Sequence, residues 1–240
     1  MDRLKGKRAL ITGGSTGIGL ETARLFLEEG ARVAITGKDS TTLENAKKEL
    51  GSGVLAIASD ASDASAQKGV AETLRREFGG LDILFVNAGI ADIKPVEQWD
   101  AAAFDRTFAI NVKGPYFLVQ ALLPIFANPA SIVLNTSVNA HIGMPNTSVY
   151  GASKAALLSL ARTLSGELIS RGIRVNAVSP ARFRRPYIAS SACLKRISRR
   201  WRLPYRGRSR PAALDSPAKL LMRLSSWRPT SPPTRWGANS

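Results

Sequence analysis

Between residues 12 and 19 the chain reads Thr-Gly-Gly-Ser-Thr-Gly-Ile-Gly, at a junction where an apolar strand gives way to an amphipathic helix. That context constrains the fold more than the glycines do. Residues 8–12, RALIT, have the length and character of a short buried strand. From residue 20, LETARLFLEEG repeats apolar Leu20, Ala23, Leu25, Phe26 and Leu27 on a helical period that ends at Gly30. Glycine permits a tight turn and lets backbone approach a pyrophosphate, while a helix N-terminus offers unpaired N–H groups and a positive dipole end. At such a junction the run predicts nucleotide binding. Elsewhere it would read as a flexible loop.

The pattern repeats along the chain. ARVAIT (31–36) predicts a second strand and residues 40–50 a helix. VLAIASD (54–60) predicts a third strand, with a helix following through Phe78. LDILFVNAG (81–89) is a continuous apolar strand ending in a turn, and a helical stretch covers about residues 101–127. SIVLNTS (131–137), a helix from Tyr150 to Ser170, and IRVNAVSP (173–180) complete the series. Apolar strands alternating with amphipathic helices call for an α/β fold, a doubly wound parallel sheet covered by helices on both faces. No run of 18 apolar residues predicts a membrane span, and the N-terminus carries no signal-peptide core. The single cysteine, Cys193, excludes an internal disulfide and makes a reducing cytoplasm the simplest home.

The identity of the nucleotide is read at the end of the second strand. A carboxylate there bonds the ribose 2′-OH of NAD, whereas a basic residue accommodates the 2′-phosphate of NADP. Here the carboxylate position carries Gly37, and Lys38 follows. Asp39 is the counter-candidate, since it falls about 20 residues past Gly19, the nominal spacing of a ribose acid. Its place beyond the strand tip predicts an N-cap instead. The expectation is NADP(H) in preference to NAD(H).

Several further motifs stand in order. Asp60-Ala61 follows the third strand, and Asn87-Ala88-Gly89 follows the fourth. Asn111 lies in the next helix. Ser137, Tyr150 and Lys154 come after it, then Asn176-Ala-Val-Ser-Pro180 on the sixth strand. With the TGGSTGIG turn, this ordered set resembles the classical short-chain dehydrogenase/reductase family from about Lys7 to Pro180. The resemblance implies a Rossmann-like sheet and hydride transfer between the cofactor and a carbonyl or alcohol substrate. It implies cofactor contacts from Gly13, Ser15, Thr16, Gly17, Ile18, Gly19, Lys38, Asp60, Ala61, Asn87, Ala88, Gly89, Tyr150, Lys154 and Pro180. It further implies that Lys154 bonds the nicotinamide ribose and that Asn111 anchors a water linking Lys154 to solvent.

The residues themselves support such chemistry. Tyr150 and Lys154 are i and i+4 on one helix and share a face. A free tyrosine has a pKa of about 10, and an adjacent ammonium favours the phenolate and lowers it. Tyr150 is then expected to act as general acid in reduction and general base in oxidation, with Ser137 polarising the substrate oxygen. His141, the only histidine, reads as substrate-loop lining at most, with nothing to pair with, and no metal site is expected.

The balance of charge changes near Ala181. The chain carries a net charge of +16, yet residues 1–181 hold 19 Lys/Arg against 17 Asp/Glu. Residues 182–240 hold 15 Lys/Arg and one acid, Asp215, with seven of the 13 prolines and three of the four tryptophans. Two segments follow: a core at 1–181 and a basic, Pro/Arg-rich tail at 182–240, expected to be disordered or poorly packed. In the family the sixth strand leads to a segment that grips the nicotinamide, then a substrate lid, another helix and a final strand. That strand completes the sheet and the usual tetramer contacts. This sequence lacks them.

A shift of reading frame at Pro180/Ala181 accounts for the loss. Permitted codons for ARFRRPYIASSA (181–192), regrouped with the preceding base, translate as GPISTPLYSKLG. KLLMRLSSWRP (219–229) regroups likewise into EIANAVVFLAS. Both are family-like continuations, so impaired activity is expected. The competing reading is a nucleotide-fold protein that holds nucleic acid through its tail, favoured by charge and by Trp201, Tyr205, Trp227 and Trp236. Out-of-frame reading of GC-rich coding sequence gives the same composition, and no specific nucleic-acid partner is expected.

Overall fold

Six parallel strands in the order β3-β2-β1-β4-β5-β6 form the centre of the computed structural model, which describes residues 2–180. They are β1 (Arg8–Thr12), β2 (Arg32–Gly37), β3 (Leu55–Ala58), β4 (Leu81–Val86), β5 (Phe126–Asn135) and β6 (Ile173–Val178). The helices are α1 (Gly17–Glu28), α2 (Ser40–Leu50), α3 (Ala66–Phe78), α4 (Ala101–Phe108), α5 (Gly114–Leu122) and α6 (Ser148–Leu168). The doubly wound sheet is therefore present. The final-strand, tail and frame expectations concern residues outside those described.

The central strands are continuously apolar because both faces are covered. Ala9, Leu10, Ile11, Val33, Ala34, Ile35 and Leu84 are inaccessible to solvent. Each helix buries one stripe. Gly19, Thr22, Ala23 and Phe26 face inward on α1, and Gln67, Val70, Ala71, Leu74 and Phe78 on α3. On α6 the stripe runs Val149, Ser153, Lys154, Leu157, Ala161, Leu164 and Leu168. A lysine thus occupies a core position.

Two expected elements differ. The helical stretch at 101–127 divides into α4, a π-helical turn at Ala109–Lys113, and α5. Pro115 sits in the first turn of α5, where its missing N–H costs nothing, and the wider turn before it absorbs the change. The last residues of that stretch belong to β5, which begins at Phe126. There Leu81 pairs with Phe126 and Ile83 with Ser131, so the ladder bulges around Pro129.

Strand order reverses between β1 and β4, the place where open α/β sheets bind ligands at their C-terminal ends. A cleft opens on that side, lined by Thr12, Thr36, Ser59, Ala61, Ala88 and Gly114.

Candidate active site

The glycine turn is fixed by hydrogen bonds from the neighbouring strand. Thr12 Oγ1 accepts from the backbone N–H groups of Asn87 and Ala88, both at 2.9 Å. Asn87 Nδ2 donates to the carbonyls of Thr12 and Gly13, each at 3.1 Å. Gly13 has φ +59°, a conformation side chains disfavour, and a Cβ there would lie 3.0 Å from Ala88 Cα. A Cβ on Gly19 would overlap the Gly13 carbonyl. Ser15, Thr16, Gly17 and Ile18 complete the turn into α1, whose N-cap Thr16 makes no side-chain bond and whose first turn holds no acid. The backbone is thus shaped for close approach by an anion at an uncapped helix end. The residues present fit a dinucleotide.

On the far side of the cleft, Lys38 Nζ lies 2.8 Å from Asp60 Oδ2. That contact, with Ser62 Oγ at 2.7 Å and Ser62 N at 2.9 Å from Oδ1, holds the Asp60 carboxyl down at about 2. Ala61 presses its carbonyl against the start of α5 at Gly114. Asp39 caps α2 by accepting from Thr42 N at 2.7 Å, the role its position predicts.

Ser137 follows β5, where its Oγ accepts from Asn139 N at 3.2 Å. Its hydroxyl lies beside the phenol of Tyr150, which α6 presents in its first turn. One helical turn on, Lys154 is 4 % exposed, and its Nζ donates to the Asn135 carbonyl at 2.8 Å. Burial pushes Lys154 down to about 8. Tyr150 departs from expectation. Burial raises its phenol above the ordinary value, and only the neighbouring Ser137 hydroxyl pulls the other way. The expected pull of the lysine does not enter among the causes of this shift.

Asn111, on the π-helical turn, is fully buried. Its Nδ2 donates to the Ile90 carbonyl at 2.9 Å and to Ser153 Oγ at 3.0 Å, while Oδ1 accepts from Ile90 N at 2.9 Å. Both side-chain amide hydrogens are therefore engaged within the protein. Gly89 packs between this side chain and Lys154, since a Cβ there would lie 3.1 Å from Asn111 Oδ1 and 3.2 Å from Lys154 Nζ. The Pro180 carbonyl accepts from Val138 N at 3.2 Å, beside Ser137.

Two groups escaped sequence reasoning. Asn135 links Asn87 to Lys154. It shares a strand face with Ser137 by the two-residue period, the only signal it gave. His141 is not solitary: Nε2 lies 3.0 Å from Ser179 Oγ, which in turn contacts Thr136 Oγ1 at 2.6 Å. Only the tertiary fold brings those three together. Among the described residues no cluster of three or more His, Cys, Asp or Glu could hold a metal.

The sequence profile of short chain dehydrogenases matches residues 7–192. An oxidoreductase of Sarocladium schorii is 40% identical over 183 residues, 75% of this chain and 74% of the relative. A sorbitol dehydrogenase of Cereibacter sphaeroides is 40% identical over 182 residues, 74% of this chain and 71% of the relative. The crystal structure of a short chain dehydrogenase from Mycobacterium smegmatis superposes with a TM-score of 0.72 at 31% identity, covering 75% of this chain and 79% of that one.

Proposed function

The chain belongs to the short-chain dehydrogenase family, and from that premise we propose that it moves a hydride between NADP(H) and a carbonyl or alcohol through Ser137, Tyr150 and Lys154. Membership makes it an oxidoreductase using a nicotinamide dinucleotide. The observation that carries the finer reading is the convergence at α6: a phenol beside the Ser137 hydroxyl, one turn from a lysine buried in the core stripe.

The nicotinamide, when bound, supplies or accepts the hydride. Ser137 and Tyr150 hold the substrate oxygen. With its phenol raised by burial, Tyr150 stays protonated at neutral pH and is ready to donate in the reductive direction. Oxidation needs the phenolate, so that direction gains with rising pH. Lys154, at about 8, remains mainly an ammonium at pH 7 and favours the developing phenolate. Gly13 to Gly19 cradle the pyrophosphate, with Asn87, Ala88 and Gly89 closing the other wall.

NADP is favoured over NAD by three features. Gly37 offers no carboxylate, the Asp39 carboxylate is engaged by Thr42 at the start of α2, and Lys38 is 76% exposed in its side chain. An exposed ion pair such as Lys38–Asp60 is worth under about 1 kcal/mol, so a phosphate can claim the lysine at small cost. Lys38→Ala is expected to weaken NADPH binding about tenfold, or about 1.4 kcal/mol, while NADH changes by no more than about twofold. Fluorescence titration of the full chain with each cofactor tests this. Tighter binding of NADH than NADPH by the unaltered chain would sink the preference.

Several broader assignments belong to the same proposal. We place the core at 1–181 and the tail at 182–240, and we infer that the altered ending impairs turnover and the family's tetramer contacts. We place the protein in the cytoplasm, supported by the lone Cys193. Among the described residues no helix is long and apolar enough to cross a membrane. The nucleic-acid reading gains no support from the relatives above, which are named as an oxidoreductase and dehydrogenases.

A further inference from the structure

We propose that Asn135 is a positioning residue for Lys154, its backbone carbonyl holding the ammonium and its side-chain oxygen offering that charge a second acceptor through one water. The inference deepens the proposed reaction and rests on Lys154 serving it.

The orientation of Asn135 is dictated from the glycine turn. Asn87 Nδ2 donates to two backbone carbonyls, those of Thr12 and Gly13, so Asn87 Oδ1 must face the other way. It there accepts from Asn135 Nδ2 at 2.8 Å. Turning the Asn135 amide over would set two oxygens against each other. Turning both amides would set the Asn87 oxygen against the two carbonyls. Neither alternative can be satisfied.

One oxygen is left over. Asn135 Oδ1 is buried and, among the described residues, has no hydrogen-bond partner, in a residue only 8% exposed. Buried acceptors are seldom left this way, and each one asks for a reason. The same residue's carbonyl receives Lys154 Nζ, an ammonium with three hydrogens of which the described residues take one. Around Nζ the fold presents neutral groups: Asn135 from β5, Asn111 from the π-helical turn and Gly89 from the loop after β4. The titratable neighbour on its own helix is Tyr150. No carboxylate shifts Lys154, and burial alone lowers it. An amide oxygen turned inward at that strand end is therefore the means at hand for sustaining the charge without quenching it in an ion pair.

The test reads the lysine itself. The full chain is prepared with lysine carrying 13C at Cε and 15N at Nζ. The buried Nζ resonance, assigned by its loss in Lys154→Met, is followed against pH. Asn135→Leu keeps the size and removes the acceptor without opening room for water, and the midpoint is expected to fall by about half a unit or more, roughly threefold in proton affinity. Asn135→Asp keeps the shape and adds a charge, and the midpoint is expected to rise by about one unit or more, a tenfold change. A purely structural amide would lower the melting temperature in both variants and leave both midpoints within about 0.3 unit of the parent, and that result overturns the proposal. If Asn135→Leu does not fold, the direction and size of the Asn135→Asp shift decide. Failure of the parent chain to bind NADPH or NADH in a parallel fluorescence titration would refute the cofactor reading instead, with the lysine titration still deciding the role of Asn135.

Discussion

Tyr150 and Lys154 carry opposite consequences of the same burial. Desolvation disfavours charge, so it raises the phenol and lowers the ammonium, setting their proton affinities further apart than in water, with the phenol the tighter holder. A phenol that keeps its proton at neutral pH beside a cation is set to give that proton up only as negative charge develops on an oxygen bonded to it. Removal of the phenolic oxygen should therefore strike chemistry and spare binding. Tyr150→Phe is expected to slow single-turnover reduction by about 10²–10⁴-fold, with the NADPH dissociation constant within about threefold of the parent. Stopped-flow NADPH oxidation with enzyme in excess checks it, and an unchanged rate would remove Tyr150 from the reaction. The spacing of Tyr150 and Lys154 was legible because helical geometry alone puts i and i+4 on one face. Asn135 was not, because a polar residue at the end of an apolar strand looks like the strand's exit. Its meaning comes from Asn87, which is 48 residues away.

Elements were legible where one period holds from end to end. RALIT at 8–12 and the helix at 40–50 match β1 and α2, the latter started by the Asp39 cap. The stretch at 101–127 is helical through Leu122, but periodicity does not register the single π-helical turn within it, and Gly114-Pro115 reads as ordinary punctuation. Gly114 is in fact where α5 meets the turn after β3. A Cβ there would overlap the Ala61 carbonyl, and both residues line the cleft at the C-terminal ends of the strands. Gly114→Ala must push α5 or that turn outward. The overpacking cost is expected to be about 1–3 kcal/mol, which corresponds to a melting temperature lower by about 3–10 °C. Weaker NADPH binding should accompany it. A thermal melt within about 1 °C of the parent would mean that the turn yields freely and that the contact positions nothing.

The whole sheet sets the limit on what the described residues can do alone. Among them β6 pairs with β5 on one side and has no strand on the other, and Ser179 and Pro180 leave it beside Ser137. Whatever follows Pro180 therefore emerges next to the reacting groups. The family's continuation there grips the nicotinamide and closes over the substrate, whereas this sequence turns to Arg182, Arg184 and Arg185. Composition made that break visible, and the proposed one-base shift near the Pro180 codon can be checked directly in the coding DNA. Misplacing a reactant by an ångström costs about 100-fold in rate, so a chain without the nicotinamide clamp should lose at least that much. Restoring the frame is expected to raise NADPH-linked turnover on carbonyl substrates by about 100-fold or more, and to raise the melting temperature as a further strand covers the β6 edge. Turnover by the present chain equal to that of the restored one would show that residues 2–180 suffice, and would return the basic tail to the status of an appendage needing its own explanation.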